Sequence, residues 1–266
     1  MTETFGHFVT LEKQDRIATV TLDRKDGLNA LSIEVMEALT EAAIALSKDT
    51  NVSAIVLTGE GAFTAGADLK DPKRAEQNAM TTVERRQAMK LGPDMCAEWE
   101  ALEQITIAAI ERFCIGGGVA LAVACDHRII SEDAHLRLPE VPLGMNMSWQ
   151  TNPRTVALIG PSKAKQFTIL GEPCDAETAL NWGLVDQITS KGASKTAALE
   201  FAAKYAAMPP LALRMTKQAI NAAAMPLGHA TSYMDRDQFA FAATSNDQKE
   251  AVRAFLEKRE PSFKGD

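Results

Sequence analysis

Two glycine-bearing loops, each entered from a short apolar run, constrain this chain more than any other feature. The first run is Val52–Thr58 (VSAIVLT), followed by Gly61-Ala62-Phe63-Thr64-Ala65-Gly66-Ala67-Asp68-Leu69. The second is Ile105–Ile110, followed by Phe113-Cys114-Ile115-Gly116-Gly117-Gly118 and then by the apolar stretch Val119–Cys125. Short continuous apolar runs suit strands buried in a parallel sheet, and parallel neighbours need crossovers between them. Glycine turns the backbone through positive φ and lets a ligand approach main-chain groups closely. A helix that starts at such a turn adds free N–H donors and the positive end of its dipole. Local sequence leaves two readings open here: plain strand-to-helix turns, or a ligand cradle.

The remaining pattern is α/β. Phe8–Lys13 and Ile17–Asp23 alternate around Gln14-Asp15-Arg16 and predict a hairpin. Ser32 is placed to cap a helix with apolar residues at 35, 36, 39, 42, 43 and 46. A long helical segment is expected from Thr81 to Leu102, and a strand at His127–Ser131. Beyond Pro161 the chain reads as helical: Asp175 caps a helix that Gly183 stops, and a strand follows at Leu184–Ile188. From Lys195 only helices are expected, broken at Pro209-Pro210 and at Pro226-Leu227-Gly228. Repeated β–β–α units over 1–194, with a helical region at 195–266 packed on them, is the predicted organisation.

Composition narrows the function. The net charge of −7 argues against nucleic acid, whose phosphates require a surplus of Lys and Arg. No apolar run approaches the ~20 residues that span a bilayer, and MTETFGHFVTLEKQD lacks the apolar core of a secretory signal. A soluble, cytoplasmic protein is expected. Cys96, Cys114, Cys125 and Cys174 are far apart and form no C-x-x-C pair, so free thiols and no metal site are expected. Gly59-Glu60-Gly61 begins like a dinucleotide fingerprint, but Thr64 stands where that pattern needs a third glycine.

Read together, the two loops and their spacing say more. A-x-G-x-D after one strand, G-G-G after the next, and Pro139-Glu140-Val141-Pro142-Leu143-Gly144 some twenty residues later resemble the enoyl-CoA hydratase/isomerase (crotonase) superfamily. LDRKDGLNAL (22–31), ACDHRI (124–129), ALNWGLV (179–185) and the ending AFLEKREPSFKG extend the resemblance over nearly the whole chain. The resemblance implies a crotonase-type spiral fold and an acyl-coenzyme A thioester as substrate, with coenzyme A as part of that substrate and no separate cofactor. It also implies a homotrimer or a dimer of trimers.

By the same resemblance the N–H groups of Ala67 and Gly117 form an oxyanion hole. Two fixed donors stabilise the negative charge that builds on a thioester carbonyl when its enolate forms. Lys25 and Ala30, with Ala65, Gly66, Ala67, Asp68 and Leu69, are implied to surround the coenzyme. Lys70, Lys73 and Arg74 are candidates for its phosphates. Ile115 and the segment from Pro139 to Gly144 are implied to line the acyl pocket. Glu140 stands in LRLPEVPLG where the family carries a catalytic glutamate, so the resemblance implies that it is the acid–base group. Local sequence alone reads equally as an exposed loop glutamate, and apolar neighbours Leu138, Val141 and Leu143 would raise its pKa by desolvation.

The chain departs from the family's hydratases in three places. Ala120 stands two residues after the triple glycine, where hydratases carry a second glutamate. Met145-Asn146-Met147-Ser148-Trp149-Gln150 replaces a small, glycine-rich turn, and Arg112 stands where glycine is common. Double-bond isomerisation or another one-carboxylate reaction is therefore expected over hydration. Weak or true 2-enoyl-CoA hydration, hydrolysis or C–C cleavage are the alternatives among enzymes. A non-catalytic acyl-CoA-binding or RNA-associated homologue is the alternative outside them.

Overall fold

The computed structural model describes residues 2–76 and 79–266; the side chains of Arg74, Ala75 and His229 lie outside that set. Strands β1 (Thr2–Phe5), β2 (Val9–Gln14) and β3 (Ile17–Leu22) pair antiparallel in order. β2 and β3 are the expected hairpin, turned at Asp15 with φ 53°. β1 is an addition, a mostly exposed TETF held by its main-chain pairing to β2. Helix α1 (Ile33–Ser47) starts where expected: the Ser32 hydroxyl accepts from the Val35 N–H at 3.3 Å. Its buried face includes Val35, Met36, Leu39, Ala42, Ala43 and Leu46.

Strand β4 (Ala54–Gly59) leads to helices α2 (Pro72–Glu76), α3 (Thr82–Ala88) and α4 (Leu91–Ala101). The single helix expected over 81–102 is thus divided near Met89. Pro93 has no N–H to donate to Met89, and its ring would crowd that carbonyl, so a new helix begins instead.

Next come β5 (Ile105–Ile110), β6 (Phe113–Ile115), α5 (Gly117–Ala124), β7 (His127–Ser131) and β8 (His135–Arg137). Helix α6 (Thr151–Leu170) begins ten residues before the helix expected after Pro161. Gly160 interrupts it with φ 72° and ψ 166°, and Pro161 opens its second half. β9 (Cys174–Asp175), α7 (Ala176–Trp182) and β10 (Gln187–Thr189) follow. Leu184 and Val185 stay outside the last strand, because their N–H groups turn back to the Ala179 carbonyl. The chain ends in α8 (Ser194–Ala206), α9 (Pro210–Ala224), α10 (Gly228–Ser232), α11 (Asp235–Ala242) and α12 (Asn246–Glu257).

The main sheet has the order β1-β2-β3-β4-β5-β7-β10 and a smaller one the order β6-β8-β9. β3 to β4, β4 to β5 and β5 to β7 are parallel, and so are β6 and β8. The turns β5-β6-α5 and β7-β8-α6 each lay one strand on the main sheet, the next on the smaller one, then a helix. β4 and β5 are buried along their whole length, as the apolar runs require. Ile55, Leu57, Ala108 and Ile110 face one core with α1 and α5; Ala54, Val56, Ile107 and Ala109 face Ala198 and Ala202 of α8. All eight residues of α5 are buried, which its sequence GGVALAVA permits.

Candidate active site

The spiral brings the two glycine loops together because they occupy equivalent places on successive turns. β4 and β5 are parallel neighbours, and beyond them Thr64 bridges Cys114. The Thr64 N–H donates to Phe113 O at 3.3 Å and the Ile115 N–H to Thr64 O at 3.1 Å. On its other side the first loop is stitched to Leu31, whose N–H donates to Gly66 O at 2.7 Å and whose carbonyl accepts from Asp68 N at 3.0 Å. Bonds on both sides of Ala67 point at Leu31, so the N–H of Ala67 itself points away. Gly66 has φ 83°, and a β-carbon there would stand 2.3 Å from Ile115 O and 3.4 Å from Gly117 N. Only glycine fits.

Gly117 is the first residue of α5, and the first bond of that helix is from Ala120 N to Gly116 O at 3.1 Å. Among the described residues, neither Ala67 N–H nor Gly117 N–H has an acceptor. Two free backbone donors thus adjoin a helix N-terminus, an arrangement suited to an oxyanion.

Each glycine of the triplet is abutted by a different group. A β-carbon on Gly116 would lie 2.6 Å from Glu140 Oε1, one on Gly117 2.5 Å from the Trp149 ring, and one on Gly118 2.4 Å from the Thr64 methyl. Glu140 sits in a tight turn, with Leu143 N and Met145 N both donating to its carbonyl. Its Oε2 is buried without a hydrogen-bond partner. Burial pushes the carboxyl up from 4.5 to about 7, against smaller opposing effects of a backbone N–H and the Arg137 charge. A carboxyl near neutrality takes up and gives back a proton with equal ease.

Trp149 is held firmly. It and Gln150 have φ of 59° and 57°, uncommon for residues with side chains. Arg154 donates to the Trp149 carbonyl at 2.8 Å and forms a buried two-point bridge with Glu100, both contacts at 2.9 Å. Asp235 of α11 accepts from the Gln150 N–H at 2.8 Å.

The early loop meets the first glycine loop through residues that spacing alone does not reveal. Asn29 is buried: its Oδ1 accepts from Arg24 N, and its Nδ2 donates to Glu60 O and Ala62 O. Arg24 bridges Ala30 O and Asp68 Oδ2, both at 2.7 Å. Ala30, Ala65, Gly66, Ala67 and Asp68 are therefore one connected surface. Lys25 is exposed with its ammonium on Asp23, and Leu69, Lys70 and Lys73 are exposed. The side chain of Arg74 lies outside the described residues. Ile115 and Pro139 flank the triple glycine, Pro139 within 3.9 Å of the place of a Gly116 β-carbon. Gly144 (φ 75°) packs instead under α12, where a β-carbon would meet Gln248 Cα at 2.5 Å. Arg112 has φ 56°, which explains glycine's usual place there, and its guanidinium lies 5.3 Å from the Phe113 ring centre.

A cavity of about 580 Å³ opens at the opposite end of α5, among Val123, His127, Tyr205 and Lys217. Its charged groups pair with each other, Lys217 with Asp126 at 2.7 Å and Arg154 with Glu100. The four cysteines are buried free thiols, pushed up by burial to about 12 for Cys96 and Cys125 and about 11 for Cys174. Among the described residues no cluster of His, Cys, Asp and Glu suits a metal, and no helix is long and apolar enough to cross a membrane.

Known proteins resemble this chain in sequence and fold. The chain is 34% identical over 253 residues to a short-chain-enoyl-CoA hydratase of Clostridium acetobutylicum, covering 94% of this chain and 95% of that one. It is 33% identical over 222 residues to a 2,3-dehydroadipyl-CoA hydratase of Escherichia coli, covering 83% and 84%. An enoyl-CoA hydratase/isomerase structure from Pseudoalteromonas atlantica superposes with a TM-score of 0.85 at 25% identity, over 96% of this chain and 99% of that one. The sequence profile described as enoyl-CoA hydratase/isomerase matches residues 12–266. The chain belongs to the enoyl-CoA hydratase/isomerase family and is an acyl-CoA-processing enzyme with the crotonase fold.

Proposed function

We propose that the enzyme stabilises the enolate of an acyl-CoA thioester between the N–H groups of Ala67 and Gly117, with Glu140 as its single acid–base group. The observation that carries this reading is the Glu140 carboxyl, with Oε1 against Gly116 of the triple glycine, Oε2 buried without a partner, and its pKa raised to about 7. In isomerisation, the Glu140 carboxylate takes a proton from carbon 2 of a 3-enoyl-CoA. The electrons pass to the thioester oxygen, and the dienolate is held by the two donors. Glu140 then returns the proton to carbon 4, leaving a 2-enoyl-CoA and the original carboxylate.

Hydration is the second reading, favoured by the names of the relatives above. It requires a base for water as well as an acid for carbon 2, and Ala120 supplies neither. The coenzyme would lie along Lys25, Ala30 and Ala65–Leu69. A homotrimer or dimer of trimers is supported by the exposed apolar side chains Leu211, Met215, Ile220, Phe241, Phe255 and Leu256, all within 195–266. We expect a cytoplasmic enzyme without nucleic-acid or membrane partners. The test is a panel of acyl-CoA thioesters assayed for double-bond migration, water addition and thioester cleavage. Migration faster than hydration supports the one-carboxylate reading; hydration dominating on every 2-enoyl-CoA would overturn it.

A further inference from the structure

The benzo ring of Trp149 is wedged between two glycines on different helices. A β-carbon on Gly92 of α4 would lie 2.1 Å from Cε2 and 2.2 Å from Cζ2. One on Gly117 would lie 2.5 Å from Cζ3 and 2.7 Å from Cη2 on the other half of the ring. Both helices give up their side chains where the ring passes, so the indole fills the space between α4 and α5. It has little freedom to leave. The backbone at 149 and 150 is left-handed, and Arg154, Glu100 and Asp235 fix it.

The ring's place relative to the chemistry gives it a role. Gly116 leans on the Glu140 carboxylate, and Gly117, whose α-carbon is ~3.8 Å further on, leans on the indole. An acyl group with its carbonyl oxygen on Gly117 N–H and its reacting carbons at Glu140 has the indole beside it within a few bonds. We infer that Trp149 is the residue that limits acyl length: it closes the passage between α4 and α5, so the site takes short acyl groups. This inference rests on the acyl-CoA reading proposed above.

The test compares kcat/KM for crotonyl-, octenoyl- and dodecenoyl-CoA, or for the matching 3-enoyl thioesters, in the wild type and three variants. Burial of each added methylene is worth about fourfold in binding when a pocket receives it. The wild type should lose activity with length. Trp149→Ala should raise the octenoyl-to-crotonyl ratio at least ~30-fold, and Trp149→Phe should fall between. Gly92→Ala places a methyl in the ring and pushes it towards Gly117, so crotonyl turnover should fall about tenfold. That loss should vanish when Gly92→Ala is made in the Trp149→Ala background. If the Ala variant does not fold, Trp149→Phe and the wild-type length profile still decide. A wild type equally active on all lengths, or folded Trp149 variants with an unchanged ratio, would overturn the inference. A wild type that neither binds nor turns over any acyl-CoA would overturn the underlying reading instead.

Discussion

Glu140 Oε1 lies 2.6 Å from the place a β-carbon on Gly116 would occupy, so the carboxylate rests on the loop that presents the Gly117 N–H. The proposed acid–base group and the proposed oxyanion donor are therefore positioned by one contact. Gly116 also has φ 53°, which disfavours any side chain.

Gly116→Ala should consequently cost stability and catalysis together. Backbone strain of this kind costs about 1–3 kcal/mol, and the methyl would displace the carboxylate. Turnover should fall at least ~100-fold on a well-folded fraction, measured alongside thermal unfolding. Wild-type turnover would show that Glu140 is not held by this contact.

Glu140→Gln should abolish turnover by ~100-fold or more while leaving acyl-CoA binding nearly intact. Its effect on stability should depend on pH. The folded carboxyl titrates near 7 and the unfolded one near 4.5, so between those values the folded chain binds the extra proton. Its favourable contribution is full below pH 4.5 and is lost as pH rises through 7, an amount on the order of 3 kcal/mol. The glutamine variant should therefore gain stability over wild type as pH rises from 5 to 8, by chemical denaturation. An equal difference at both pH values would place the carboxylate in water.

The rate of double-bond migration should follow the same ionisation. With Glu140 as the base, kcat/KM should rise with pH and level off above about 7. A profile still rising steeply well above that value would assign proton removal to another group.

Ala120 is buried in α5 one helical turn beyond Gly117, which the indole abuts. Ala120→Glu should therefore destabilise the fold by several kcal/mol, since an unpaired buried charge is costly. Combined with Trp149→Ala it should gain space and water, and hydration of crotonyl-CoA should increase. Brisk hydration by the unmodified enzyme would show that one carboxylate suffices for water addition.

Much of this was legible in the residues. Alternation and apolar runs marked β2 to β5, and Ser32, Asp175 and Gly183 marked helix ends through local hydrogen bonding. β1 was not, because an exposed strand needs no apolar pattern. The break at Met89 rests on the missing donor of Pro93, and the helix before Pro161 ends at Gly160, whose φ of 72° separates it from the half that was expected. At the site, the glycine loops and Glu140 stood out as short motifs. Asn29, Arg24, Glu100 and Arg154 did not, because they act through contacts up to 54 residues apart in sequence. Trp149 stood out only as part of a segment replacing a glycine-rich turn; its place between Gly92 and Gly117 exists only once α4 packs on α5.

Exchange of the carbon 2 protons of a saturated short acyl-CoA with deuterium from solvent tests the central claim most directly. Enolate formation is then isolated from water addition, double-bond migration and thioester cleavage. With Ala67 and Gly117 stabilising the enolate and Glu140 moving the proton, the wild type should incorporate deuterium at carbon 2, followed by NMR or mass spectrometry. Glu140→Gln should bind the same thioester and leave it unlabelled. No incorporation by an enzyme that binds the thioester, or undiminished incorporation by the glutamine variant, would contradict the account.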